Sequence, residues 1–124
     1  GDWYKVVDAV AKIDSNKYYG TLAAAVEAAQ AGETVTVLRN AIGAGVVIDK
    51  DVTIDFAGFT YTANAGVGST GTQTLGFQIL KNNNVTLKNG TFTSEGENIK
   101  MLVQNYANLT LNNMNLCTLT KKVG

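Results

Sequence analysis

"NVTLKNGTFT" (Asn84–Thr93) and "NLTLNNMNLC" (Asn108–Cys117) say nearly the same thing twice, and how that repetition is read decides the fold. Each opens on a tetrapeptide of one pattern: small polar, aliphatic, Thr, aliphatic. Asp51-Val52-Thr53-Ile54 and Thr34-Val35-Thr36-Val37 obey the same rule upstream. Self-similarity at intervals of a few tens of residues marks stacked repeats. Unequal spacing between copies is expected if the connections vary while the pairing strand stays constant. Alternation of period two sends both aliphatics of each copy to one face and the Thr to the other. Stacked in parallel at about 4.8 Å, the copies form two inward columns. One is Val35, Val52, Val85 and Leu109; the other is Val37, Ile54, Leu87 and Leu111. Thr36, Thr53, Thr86 and Thr110 form the outward column between them.

A second strand family lies just upstream of the later copies: Val46–Ile48, Gly76–Leu80 and Lys100–Gln104. Short polar corners such as "DKD", "KNNN" and "NYAN" separate it from them. A third group follows each copy and includes Phe59 or Tyr61, Phe92 and Leu116. Short strands in threes, separated by polar corners, predict an all-β solenoid: a right-handed, single-stranded parallel β-helix of about four coils. Asparagine collects at the corners (Asn82 to Asn84, Asn89, Asn105, Asn108, Asn112 and Asn113). It tolerates the left-handed backbone region and can bond its own chain or the neighbouring strand.

Residues 1–33 read differently. "VAKIDSNKYYG" places a polar turn, Ser15 to Lys17, between two short strand-like pieces, which predicts a hairpin. Thr21 then N-caps "LAAAVEAAQA", and Gly32 supplies a left-handed stop. Leu22, Val26 and Ala29 share a face with Ala25 beside them. A helix this short is marginal alone and must dock, so it is expected to cover the open top of the coils. The expected division is a hairpin and capping helix over 1–33 and β-helix coils over 34–124, together one structural domain.

Composition bounds the function. The chain has 124 residues, 45% hydrophobic and 16% charged, a globular balance for one domain. Ten basic and ten acidic residues cancel, and Arg39 is the single arginine. That balance lacks the electrostatic footprint of a nucleic-acid binder. No apolar run reaches the roughly 20 residues that span a bilayer, so no membrane insertion is expected in this segment. The absence of histidine removes the commonest general base and zinc ligand together. Cys117, the one cysteine, excludes an intramolecular disulfide. No cofactor is indicated.

"YYGTLAAAVEAAQAGETVTVL", "VVIDKDVTIDFAGFTYT" and the "NVTL…NLTL" strands together resemble the pectin-lyase-like β-helix repeat regions of bacterial surface and phage proteins, over roughly residues 10 to 117. The resemblance implies an extracellular or cell-surface location. Such proteins carry further coils, so the chain reads as part of a longer protein. An open C-terminal end is then expected to self-associate. The function implied is a non-catalytic stalk or an adhesin-like, glycan-binding module, with a glycan or a cell-surface protein as partner. The alternative is the N-terminal part of a polysaccharide lyase or glycoside hydrolase of the same class.

Two groups are candidate sites. Asp49, Asp51 and Asp55 form an acidic patch; such oxygens can bind calcium, and paired carboxylates can perform acid–base chemistry. The same residues also read as a solvated corner, because Asp51 stands in the column of Thr34, Asn84 and Asn108, while Asp55 aligns with Lys88. The second group is the Gly- and Thr-rich excursion "ANAGVGSTGTQT" (Ala63–Thr74), in which Ser69, Thr70, Thr72 and Thr74 are candidate ligand-loop residues.

Overall fold

The computed structural model describes residues 8–69 and 71–117. The elements in chain order are β1 (Ala11–Ile13), β2 (Lys17–Tyr19), α1 (Leu22–Ala28), β3 (Thr34–Val37), β4 (Ala41–Ala44), β5 (Val46–Ile48), β6 (Val52–Asp55), β7 (Thr60–Ala65), β8 (Leu75–Ile79), β9 (Asn84–Ser94), β10 (Met101–Asn105) and β11 (Asn108–Leu116). They form an 8-stranded sheet of order β2-β1-β3-β6-β9-β7-β4, with β11 added to β9, and a 3-stranded sheet of order β10-β8-β5.

The expected right-handed parallel β-helix of about four coils is not what forms. The large sheet is mixed: β1 runs antiparallel to both β2 and β3. The strands also do not come in regular threes. β9 continues for 11 residues, pairing β6 with its first half and β7 with its second. Asn89 and Asn113 take left-handed φ values of 63° and 60°, so β9 and β11 turn at those residues without ending. The reason is local: the sequence rule describes each strand's faces, but it is silent on whether a polar Asn ends a strand or bends it.

Pairing within the core of the sheet is parallel and in register. Val52, Val85 and Leu109 are successive partners, as are Thr53, Thr86 and Thr110, and Ile54, Leu87 and Leu111. The first copy departs by two residues: Val35 pairs Ile54 and Thr34 pairs Thr53. A two-residue slip keeps every side chain on its face, and the slipped register is pinned where Gly32 N–H donates to the Asp51 carbonyl and Thr53 N–H to that of Glu33. The small sheet aligns Val46, Phe77 and Val103 inward and Val47, Gln78 and Gln104 outward.

The two sheets face each other through aromatic rings. Phe92 of β9 stacks on Phe77 of β8 at 4.0 Å between centroids and on Tyr61 of β7 at 6.1 Å. Gly76 permits this approach, since a Cβ there would run into the Leu102 carbonyl oxygen and the Phe92 ring. Helix α1 starts at Thr21, whose Oγ1 accepts from Ala24 N–H at 3.0 Å, and buries Leu22, Ala25 and Val26. It ends at Ala28, short of the expected Gly32. Lys50 Nζ donates to the carbonyls of Glu27 (2.9 Å) and Ala29 (2.7 Å), satisfying the open helix end with a cation and tying it to the β5–β6 corner. No helix among the described residues is long and apolar enough to cross a membrane.

Two outcomes follow from this packing. Gly76→Ala should lower the unfolding free energy by about 1–3 kcal/mol in urea titrations, because backbone oxygen and a buried ring cannot both yield. Tyr61 donates its hydroxyl to the Ala44 carbonyl at 2.6 Å, and burial pushes its pKa up to about 12. A folded-state value above the unfolded one gives stability that is complete below about pH 10 and is lost as pH climbs towards 12. Wild type should therefore lose on the order of 2–3 kcal/mol more than Tyr61→Phe across that window in pH-dependent denaturation.

Candidate functional site

The carboxylates of the acidic patch each serve a corner. Asp51 Oδ1 accepts from Asn84 N–H at 2.7 Å, and Asp55 Oδ1 from Ala57 N–H at 2.9 Å and Asn89 Nδ2 at 3.2 Å. Asp49 Oδ1 accepts from Asn83 Nδ2 at 3.4 Å. Asp55 and Lys88 are register partners, as the alignment predicts. Among the described residues, no group of three or more Asp, Glu or Cys side chains is placed to hold a metal ion.

The loop candidates are placed differently. Thr70 lies outside the described residues. Ser69, Thr72 and Thr74 stand together on the rim of a polar concavity whose floor is the outward face of β8 and β10. The rim is turned by short-range bonds: the Ser69 carbonyl accepts from Thr72 N–H at 2.9 Å and from Thr72 Oγ1 at 3.2 Å. Lys100 N–H donates to the Thr74 carbonyl at 2.8 Å, fastening the rim to the start of β10. Across the floor Gln78 Nε2 donates to Gln104 Oε1 at 3.0 Å. Each carboxamide keeps capacity for a ligand, since one such bond uses a single donor on one side and a single acceptor lone pair on the other.

Tyr106 closes the far wall and is 61% exposed, the most exposed large apolar side chain among the described residues. It follows β10 directly, and its N–H donates to the Ile79 carbonyl at 2.9 Å, which holds the backbone while the ring projects. The same ring lines a second concavity with Asp49, Leu80, Lys81 and Asn82. The two hollows thus meet at Tyr106. The groove that these hollows share at Tyr106 has hydroxyls and carboxamides in one hollow and Asp49, Leu80, Lys81 and Asn82 in the other.

Of the sequence candidates, Ser69, Thr72 and Thr74 line one hollow and Asp49 the other; Gln78, Gln104, Lys81, Asn82 and Tyr106 line them too and were not singled out as site residues by the sequence. The signal was present. In "GFQIL" period-two alternation turns Gln78 outward, and parallel pairing aligns Gln104 of "MLVQN" with it, although Leu102 and Val103 are both buried there. Tyr106 sits in "NYAN", a phrase legible only as a corner. Of the aromatic pairs in the sequence, Trp3 and Tyr4 lie outside the described residues; Tyr18 donates to the Ser15 carbonyl at 3.1 Å and Tyr19 packs on the core.

The groove can stack a flat, partly apolar ring on Tyr106 and bond its hydroxyls from amide groups on either side. Its charged lining residues are Lys81, Lys100 and Asp49. Comparison of the chain with protein-family models, with curated proteins and with solved structures finds no match.

Proposed function

We propose that the chain is a non-catalytic, extracellular binding module that recognises neutral glycans in the groove centred on Tyr106. What carries the reading is the exposed Tyr106 ring shared by two hollows, with the Gln78–Gln104 carboxamides and the Ser69, Thr72 and Thr74 hydroxyls to one side. An exposed aromatic flanked by neutral donors and acceptors matches the alternation of C–H faces and hydroxyls on a sugar ring. The carboxylates that an enzyme of this composition would need are spent on backbone and amide donors at corners. Association with further copies through the edge that β11 forms also belongs to this reading.

A glycan array followed by titration calorimetry tests the proposal. Wild type should bind neutral oligosaccharides, and Tyr106→Ala should weaken binding about five- to tenfold, the loss of one stacking contact. Circular dichroism should be unchanged, because the ring is exposed. Equal binding by the variant, or release of reducing or unsaturated sugar ends by wild type, would contradict a non-catalytic groove.

A further inference from the structure

Among the described residues, the outer strand of the large sheet, β11, pairs on one side only, with β9. In a ladder with β9, every second residue's N–H and C=O point the other way, towards an open edge. Folded proteins usually blunt such an edge with charge, Pro or a bulge. Here the distribution is inverted. The interior strands carry charge at one shared position, Asp55 on β6 and Lys88 on β9, and β11 has Asn112 there. Asn108–Leu116 contains no charged residue and no proline. Its inward side chains are left incompletely covered: Leu111 is 47% exposed, whereas its partners Leu87 and Ile54 are fully buried.

The exposed edge is also a chemical palindrome. About a point between Asn112 and Asn113, the strand reads Leu109-Thr110-Leu111-Asn112 in one direction and Leu116-Asn115-Met114-Asn113 in the other. The turn at Asn113 is what makes this work. It resets the alternation, so Leu109 and Leu111 before it and Met114 and Leu116 after it all face inward. β9 has no such symmetry, since Leu87 is mirrored there by Gly90 and Lys88 by Asn89.

The geometry points to a two-fold dimer in which β11 pairs antiparallel with β11 of a second copy, the axis passing between Asn112 and Asn113. In that register Leu109 faces Leu116 of the partner, Leu111 faces Met114, and Thr110 faces Asn115. Every inward side chain therefore meets an inward one. Asn112 faces Asn113, and carboxamides can donate to each other reciprocally. A parallel or slipped pairing sets aliphatics against polar residues and lacks this match. The inference deepens the association named above by fixing its symmetry and register, and it does not depend on the groove.

The register makes an unusual demand: the native Cys117, exposed at the strand's end, must oppose Asn108 of the partner and not Cys117. Opposed residues in antiparallel strands lie about 4.5–5.5 Å apart at Cα, inside the range a disulfide spans. Asn108→Cys should therefore give a covalent dimer under mild oxidation, while wild type and Thr110→Cys should not. Sedimentation of wild type between about 1 micromolar and 1 millimolar should show a monomer–dimer equilibrium and no larger species. Leu111→Lys, counted twice by the two-fold, should raise the dissociation constant about a hundredfold or more with circular dichroism unchanged. A strict monomer across that range, assembly beyond the dimer, or a dimer in which Thr110→Cys cross-links as readily as Asn108→Cys would each overturn the proposal.

Discussion

The in-register parallel pairing of β6, β9 and β11 is the constraint on which the rest depends. It places Val52, Ile54, Val85 and Leu87 on one face, where all are buried, and so gives the large sheet a single apolar side. A sheet with one apolar face must cover it. The cover is the small sheet, through Phe77 and Phe92, and at the top the helix, through Leu22, Ala25 and Val26. The mixed character of the sheet follows from the same need. β1 and β2 are too short to form a coil, but as a hairpin laid antiparallel on β3 they cover that edge and bury Ala11 and Ile13.

Amide side chains extend the pairing beyond the backbone. Asn108 Nδ2 donates to Asn84 Oδ1 at 3.1 Å and Asn113 Nδ2 to Asn89 Oδ1 at 3.4 Å, in line with Asn89 to Asp55 at 3.2 Å. These ladders explain why the corners are asparagine and not merely polar. A residue there offers both a donor and an acceptor along the stack, and at Asn89 and Asn113 it must also accept a left-handed backbone. The same requirement accounts for the acidic patch. Asp51 and Asp55 act there as acceptors, Asp51 for the Asn84 N–H and Asp55 for the Ala57 N–H and the Asn89 side chain.

Legibility in the sequence divided along physical lines. Period-two patterning exposed the strand faces, both strand families, the hairpin and the N-cap at Thr21, because each is a local consequence of side-chain chemistry. Connectivity was less visible. Whether Asn89 breaks a strand or bends it, and whether β1 joins β3, are settled by long-range contacts with no local signature; the expectation of a regular solenoid failed there. The lining of the groove divides in the same way. Ser69, Thr72 and Thr74 read as an insertion, but Gln78, Gln104 and Tyr106 come together only when β8 and β10 lie side by side. Within the end strand, the balance between Leu109–Asn112 and Asn113–Leu116 emerges only once Asn113 is known to reset the alternation.

Methyl–methyl nuclear Overhauser contacts between β6 and β9 measure the central pairing most directly. The account predicts strong Val52–Val85 and Ile54–Leu87 cross-peaks, each aliphatic beside its parallel partner. Strong Val52–Leu87 and Ile54–Val85 cross-peaks in their place would mean antiparallel strands, and the sheet, the groove and the edge described above would all be contradicted.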